Sequence, residues 1–264
     1  MLLTGPLSFS IAQEKLIEGI VITTKEKAPL EYVNIGIPKK NIGTVSDENG
    51  KFVLNILREN QNDTLLISCI GYATVKLPIS NAQKFQEITM TEIAVELEEI
   101  TIASRQVKEK TFGISVKSPK MSAGFENKLL GYECGVLTKN KHQAHLKRLS
   151  FNVAQLSYDS IFYRVNIYSK SKLGFENILN SPIYLKLAND EVQRTVSFDL
   201  VPYDIYISGD FLVTLEHVKD LGEGLLNFSA TLLRKTYYRK TSQGEWQTVP
   251  VGISLNVTAD VFYQ

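Results

Sequence analysis

The sequence has little of what nucleic-acid-binding and membrane-spanning proteins need. Its 29 basic and 28 acidic residues leave a formal net charge of +1, which gives no support to a nucleic-acid partner or to a polybasic membrane patch. No apolar run approaches the roughly 20 residues that a membrane-spanning helix requires. We therefore expect neither a nucleic-acid partner nor a transmembrane segment.

Cysteine is also scarce, since Cys69 and Cys134 are the only 2 in the chain. They fall in different halves of the sequence, and Cys69 lies inside a strongly apolar run. This placement favours two isolated, buried thiols. A disulfide between them is the alternative, because an exported protein can oxidise its cysteines.

The motifs of common catalytic and metal sites are missing as well. The sequence contains no Gly-x-Ser-x-Gly elbow, no His-Glu-x-x-His metal helix and no phosphate-binding glycine loop. His142 and His145 could supply half of a metal site, but their polar surroundings favour a solvated loop. Glu216 and His217 are neighbours, and adjacent side chains of a strand point to opposite faces. We therefore predict a protein that is not an enzyme and that holds no metal and no cofactor.

What the sequence has in quantity is residues that favour strands, including 12 Tyr and 12 Phe beside many Val, Ile and Thr. Short runs of alternating apolar and polar residues, separated by turn residues, fill residues 14–102, and longer runs fill residues 124–264. Lys and Ser dominate residues 103–123, which predicts a linker. The sequence thus predicts an all-β protein of two domains, the second a jelly-roll-like β-sandwich of unknown function.

The first 12 residues resemble the end of a secretory signal peptide. Leu2–Ile11 is short and mostly apolar, and Ser10-Ile11-Ala12 places small residues where signal peptidase reads them. A frayed first strand would give a similar pattern. We expect export to the periplasm or the cell surface, with cleavage after Ala12.

An ordered set of segments in the first half resembles the carboxypeptidase-regulatory-like domains of Bacteroidetes cell-envelope proteins. The segments that carry the resemblance are Glu18–Val21, Ala28–Ile35, Gly43–Phe52, Asp63–Leu65, Ser68–Tyr72 and Leu97–Ile102. The resemblance implies a seven-stranded, transthyretin-like Greek-key sandwich without catalytic residues, of the kind found near the outer membrane. The second half resembles, more loosely, the tail of stand-alone members, through segments such as Val165–Tyr168 and Phe211–Glu216.

Four alternate residues of one predicted strand form the candidate ligand-binding site: Phe162, Arg164, Asn166 and Tyr168. Their spacing places them on one face of the strand. An aromatic pair with hydrogen-bond donors between them is typical of a platform for a sugar or a peptide. The alternative is that this face packs against a neighbouring sheet. Trp246 could join such a platform or serve as a core anchor.

Asp159-Ser160-Ile161 resembles the acceptor for O-glycans in exported Bacteroidetes proteins, so Ser160 is a candidate O-glycosylation site.

Together these features predict a non-catalytic, exported envelope protein that acts as a binding or scaffolding module for a protein or glycan partner. The alternative is a carbohydrate-binding accessory protein of a glycan-uptake system, which glycan binding would distinguish. An exposed edge strand could also accept a partner strand by β-augmentation.

Overall fold

The computed structural model describes residues 14–93, 108–116, 118–126, 130–232, 235–250 and 253–263. In these residues the chain forms 22 β-strands and four short 3-10 turns, so it is all-β, as the sequence predicts. Within the same ranges no helix is long and apolar enough to cross a membrane. The predicted signal remnant at residues 1–12 and the segment Leu97–Ile102 lie outside the described residues.

The first sandwich spans residues 15–90. Its seven strands are β1 (Lys15–Thr23), β2 (Asn34–Gly36), β3 (Gly43–Val45), β4 (Lys51–Ile56), β5 (Thr64–Ser68), β6 (Val75–Pro78) and β7 (Phe85–Met90), with 3-10 turns at Arg58–Asn60 and Ile79–Asn81. One sheet has the order β4-β1-β7 and the other the order β3-β2-β5-β6. The residues of β4 are exposed and buried in strict alternation, and the buried face of each sheet contributes to one shared core. The strand number and the two-sheet form agree with the family resemblance, while the Greek-key path stays a prediction.

The turn between β3 and β4 shows why these residues suit their place. The Asp47 carboxylate accepts the backbone N–H groups of Asn49 and Lys51, both at 2.8 Å, and Gly50 has a φ of +72° that favours glycine. The sequence predicts a hairpin here, but β3 and β4 belong to different sheets. The local turn is therefore as expected, and it serves as a corner between the two sheets.

The second sandwich begins at residue 108. Its strands are β8 (Lys108–Gly113), β9 (Ser122–Glu126), β10 (Glu133–Thr138), β11 (Gln143–Leu156), β12 (Ser160–Ser171), β13 (Gly174–Asn177), β14 (Ile183–Ala188), β15 (Thr195–Asp199), β16 (Tyr206–Ser208), β17 (Phe211–His217), β18 (Leu225–Thr231), β19 (Thr236–Arg239), β20 (Gln247–Thr248), β21 (Ser254–Leu255) and β22 (Val257–Tyr263), with 3-10 turns at Asn189–Glu191 and Val201–Tyr203.

These strands form two sheets around a common core. A seven-stranded sheet has the order β13-β12-β17-β10-β19-β20, and β14 also pairs with β12. An eight-stranded sheet has the order β21-β18-β11-β22-β8, with β15 and β16 on β11 and β9 on β18. Tyr163, Val165 and Ile167 of β12 are fully buried in the core between the sheets, as their alternation predicts. Two sheets that share one core make a β-sandwich. A jelly-roll path for its strands stays a prediction.

The linker predicted at residues 103–123 is wrong over part of its length. Lys108–Gly113 is an edge strand that pairs antiparallel with β22, and Ser122 already belongs to β9. Of the residues of β8, only Phe112 packs against the core, while all the others are exposed. An edge strand is held mainly by backbone hydrogen bonds to one neighbour, so it carries little of the apolar pattern by which strands are predicted.

Candidate functional site

The outer face of β12 lies against the first sandwich. The Phe162 ring stacks on Tyr184 at 5.2 Å, and its centroid lies 5.0 Å from that of Tyr32 in the first sandwich. Arg164, Asn166 and Tyr168 are only 2%, 1% and 6% exposed. The four predicted residues thus share one face, but the open platform is corrected to a largely buried interface. The alternation of β12 defines the face, and the packing of a distant segment decides what covers it.

Arg164 forms a buried ion pair with Glu216 of its own sandwich and hydrogen bonds to the first sandwich. Its Nε and Nη2 atoms donate to Glu216 Oε2 at 3.1 and 2.8 Å, while Nη1 donates to the backbone carbonyl of Tyr32 at 2.7 Å. Nη2 also donates to Oδ1 of Asn34, whose Nδ2 donates to Glu216 Oε1 at 2.9 Å. The Glu216 carboxylate is fully buried, so these donors replace the water that it lacks.

Tyr32 has a backbone conformation that fits this role. Its φ of 53° lies in the left-handed region, which is uncommon for a bulky residue and costs on the order of 1–2 kcal/mol. The Tyr32 ring packs against Phe162 and Tyr184, and its carbonyl accepts the bond from Arg164. Contacts with the second sandwich therefore offset the local strain.

A second buried carboxylate, Glu133, completes the network. It accepts hydrogen bonds from Arg239 Nε at 2.7 Å, Asn166 Nδ2 at 2.9 Å and the Tyr168 hydroxyl at 2.9 Å. The Thr214 hydroxyl also donates to Glu133. Asn166 Nδ2 bonds Glu216 Oε2 as well, at 2.8 Å, and so connects the two carboxylates. Two arginines and two glutamates give this buried network a formal charge of zero.

Strand register places the four charges in one row. Arg164 lies opposite Glu216, Glu216 opposite Glu133, and Glu133 opposite Arg239. The row crosses the adjacent strands β12, β17, β10 and β19. We call these four residues the charge row. It has acidic groups at its centre and a guanidinium at each end.

The two carboxyl groups of the charge row differ in pKa. Burial alone would raise the pKa of Glu216, but the charges of Arg164 and Arg239, with hydrogen bonds from Arg164 and Asn166, outweigh burial and hold it below its usual range. Burial is also the largest influence on Glu133, and together with the nearby charge of Glu216 it raises the pKa of Glu133 against the opposing charge of Arg239. The pKa values of these two neighbouring carboxyl groups are thus shifted in opposite directions.

A loop of the second sandwich makes a further contact between the sandwiches. The backbone N–H of Lys39 donates to the carbonyl of Gln243 at 2.9 Å, and Gln243 Nε2 donates to the Ser68 hydroxyl at 2.7 Å. A Cβ atom added at Gly36 or at Gly43 would overlap the carbonyl oxygen of Ser242. These two glycines face each other across β2 and β3, so this close approach of backbones requires both.

We expect Gly43→Ala to weaken the contact between the sandwiches without opening either core. The added methyl must displace the loop around Ser242, and overpacking of this kind costs typically about 1–3 kcal/mol. Thr44→Ala is the matched control, because neighbouring residues of β3 point to opposite faces. In scanning calorimetry the Gly43 variant should unfold earlier than the control and in two steps. An unchanged profile would contradict the tight approach.

Beside the charge row lies a cavity of about 360 Å³, which we call the interdomain groove. From the second sandwich it is lined by Arg164, Asn166, Tyr168, Phe175, Asn177, Leu179, Arg239, Gln243 and Trp246, and from the first by Asn34, Ser68, Cys69, Ile70, Gly71 and Thr74. Three of the four predicted ligand residues therefore reach it, and Phe162 does not. Whether they bind a ligand stays a prediction.

Sequence reasoning missed Glu133, Arg239 and Asn34 as site residues. Glu133 opens the apolar run of β10, and Glu216 follows the apolar run of β17. A single charge in a buried strand needs a partner, and this signal could have pointed to Glu133 and to a basic partner for it, whereas no such signal marks the uncharged Asn34. Trp246, which the sequence left open, is half-buried and lines the groove.

The remaining candidate residues lie elsewhere. Cys69 and Cys134 are both free thiols, as expected, but only Cys134 is fully buried, while Cys69 is half-buried at the groove. His145 stacks on Tyr206 at 4.7 Å, and the residues that the structure describes contain no group of three or more His, Cys, Asp or Glu side chains arranged for a metal ion. Ser160 is exposed at the start of β12, where O-glycosylation stays a prediction.

Comparison with solved structures gives only weak overlaps. The chain is 10% identical to the major pilin subunit BcpA of Bacillus cereus, with a TM-score of 0.21, over 92% of this chain and 70% of that chain. It is also 10% identical to the major pilin SpaD of Corynebacterium diphtheriae, with a TM-score of 0.21, over 95% of this chain and 67% of that chain. For VP2 of the infectious bursal disease virus subviral particle the identity is 10% and the TM-score 0.24, over 88% of this chain and 61% of that chain. TM-scores of this size define no common fold.

Comparison with family models is informative, while no protein of curated function matches the chain. The model of the CarboxypepD_reg-like domain matches residues 17–102. That range holds the first sandwich except for the first two residues of β1, and it includes Tyr32 and Asn34, which reach the charge row. Residues 17–102 of this chain are a CarboxypepD_reg-like domain.

Proposed function

We propose that this chain is an exported, non-catalytic binding or scaffolding module of the cell envelope, in which two β-sandwiches hold a groove for a protein or glycan partner. The observation that carries the proposal is the charge row with its bonds to Tyr32 and Asn34 beside the interdomain groove. A shift between the sandwiches would take the Tyr32 carbonyl and the Asn34 amide away from Arg164 and Glu216. These buried charged groups would then have unmade hydrogen bonds, which is unfavourable. The network therefore favours one relative arrangement and so a groove of constant shape.

The chemistry of the two buried carboxylates supports a non-catalytic role. A general acid or base must reach the proton that it transfers. Glu133 and Glu216 are fully buried and are bonded to arginine and amide groups. CarboxypepD_reg-like domains are themselves non-catalytic regulatory modules. A role in binding needs no proton transfer from these carboxylates, because their bonds to the arginines position the walls of the groove.

A carbohydrate-binding accessory protein is the second candidate. The specific observation that favours it is the aromatic wall of the groove, where Trp246 contacts Phe175 and Tyr168 edge-on at 5.6 and 5.5 Å. Edge-on contacts hold the indole in place. In this candidate function the binding site is the same groove, and the partner is a glycan.

Proximity labelling in the native cells tests the proposed function. A labelling enzyme fused to the chain should mark the same envelope neighbours in each experiment, and the mature protein should begin near Gln13. Thr74→Trp fills the groove from an exposed position and should abolish this set of neighbours, whereas Ser80→Trp, exposed outside the groove, should keep it. Identical neighbours for both variants, or protein with an intact Met1 in the cytoplasm, would contradict the proposal.

A further inference from the structure

We infer that the interdomain groove binds a neutral saccharide, with one sugar ring against Trp246. This inference rests on the proposed function, because it names the class of partner for the same groove. The argument depends on three features of the groove: a fixed aromatic wall, unused hydrogen-bonding atoms of both kinds, and a floor without net charge.

The aromatic wall is fixed before any partner arrives. Trp246 is half-buried, with Phe175 and Tyr168 edge-on to its ring, and the Arg239 guanidinium lies 5.1 Å from its centroid. Phe175 is itself held edge-on by Tyr237 at 5.3 Å. A large ring that is already immobilised loses little conformational entropy on binding. It presents an apolar surface of the kind that packs against the C–H groups of a sugar ring.

The polar atoms of the groove include unused donors and an unused acceptor. Arg239 bonds Glu133 through Nε and Nη2, and its Nη1 donates to no group among the described residues. The side chain of Arg239 is 10% exposed and lines the groove, so Nη1 is available to an occupant. Gln243 donates through Nε2 to Ser68, while its Oε1 accepts from no described residue. Sugar hydroxyls both donate and accept, so they suit this combination.

The charge of the floor decides between a neutral and an acidic sugar. Among the residues that line the groove only Arg164 and Arg239 are charged, and Glu216 and Glu133 lie directly behind them. Two unit charges 4 Å apart interact by about 4 kcal/mol at an effective dielectric of 20. A bound carboxylate would therefore meet two guanidinium groups whose charges Glu133 and Glu216 already offset, and it would also be repelled by these two glutamates. A neutral ligand avoids this repulsion and the desolvation of a second charge.

The shape of the first-sandwich wall disfavours a peptide strand. A partner strand needs an exposed edge with a row of free backbone groups. In this wall Asn34 and Ser68 belong to β2 and β5, each of which already pairs with a strand on both sides. Residues 69–71 and Thr74 lie in the connection between β5 and β6, outside any strand. Side-chain contacts, as in saccharide recognition, are what this wall can offer.

Fluorescence of Trp246 provides a site-specific test, because it is the only tryptophan. The full chain is titrated with cellobiose, maltose, mannobiose and galactobiose, with digalacturonate as the acidic match of galactobiose, and with a neutral hexapeptide. We expect a saturable change with at least one neutral disaccharide, and for galactobiose an affinity at least about tenfold above that of digalacturonate, which is about 1.4 kcal/mol.

Two variants locate the response in the groove. Arg239→Lys keeps a positive charge beside Glu133 but lacks the Nη1 donors. Gln243→Leu removes the free acceptor outside the charge row together with the Nε2 bond to Ser68. Each should lower the affinity for the neutral disaccharide at least about tenfold, whereas Arg148→Lys, exposed on β11, should bind like wild type. If Arg239→Lys fails to fold, Gln243→Leu alone decides.

The outcomes separate this inference from the proposed function. No response to any neutral disaccharide, tighter binding of digalacturonate or of the peptide, or unchanged affinity in Gln243→Leu would overturn the neutral saccharide. Neighbour labelling that depends on Thr74 would still support a binding module in each of these cases. If Thr74→Trp left the labelled neighbours unchanged while a neutral disaccharide still bound, the envelope module would be overturned and the saccharide site would stand.

Discussion

Arg164→Met should lower the free energy of unfolding by about 3–5 kcal/mol, which is the usual cost of leaving a buried charge without its partner. The change removes both bonds to Glu216, which is fully buried, and both bonds to the first sandwich, at Tyr32 and Asn34. For a chain of this size the melting temperature should fall by roughly 6–20 °C. Scanning calorimetry should resolve two transitions in place of one, because the sandwiches lose their main polar connection.

A double variant separates the charge from the connection. Arg164→Met combined with Glu216→Leu removes both charges of the ion pair. No buried charge is then left without its partner, so part of the lost stability should return. The two transitions should remain, since the bonds to Tyr32 and Asn34 are still missing. Arg148→Met on the exposed side of β11 should stay within about 0.5 kcal/mol of wild type. A loss below about 1 kcal/mol for the single variant would mean that water reaches Glu216 in solution.

Glu216→Gln should cost about 3–5 kcal/mol at neutral pH, and Glu133→Gln less than half of that, although both residues are fully buried. The pKa of Glu216 is lowered in the folded protein, so its contribution is present above the unfolded value of about 4.3 and is lost as the pH falls through the folded pKa. The pKa of Glu133 is raised, so its contribution is present below about 4.3 and is lost as the pH rises through its folded pKa.

Urea unfolding of both variants between neutral and acidic pH measures this asymmetry. As the pH falls below about 4.3, wild-type Glu216 loses its advantage, so the gap between the variants should narrow. Thr214→Val serves as a control that removes one donor to Glu133 without changing a charge. Equal losses for the two variants at all pH values would show that Arg239 depends on the charge of Glu133 as strongly as Arg164 depends on that of Glu216.

The amino-acid sequence by itself determined the class of fold and much of its local detail. Alternation along β4 and β12 predicts which side chains are buried, because the period of two belongs to a single strand. The turn at Asp47 and Gly50 follows from side-chain bonding and backbone freedom, which are equally local. The same locality let the sequence place Phe162, Arg164, Asn166 and Tyr168 on one face.

Only the tertiary structure decided what that face does. The charge row depends on the register of β12, β17, β10 and β19, which no local pattern aligns. Its ion pairs Arg164–Glu216 and Glu133–Arg239 join residues 52 and 106 positions apart. The cover over Phe162 and Arg164 comes from the CarboxypepD_reg-like domain, and the position of Trp246 in the groove follows from the packing of distant loops. Side-chain alternation is a property of one strand, whereas the partner of a buried charge is set by the strands and domains that pack against it.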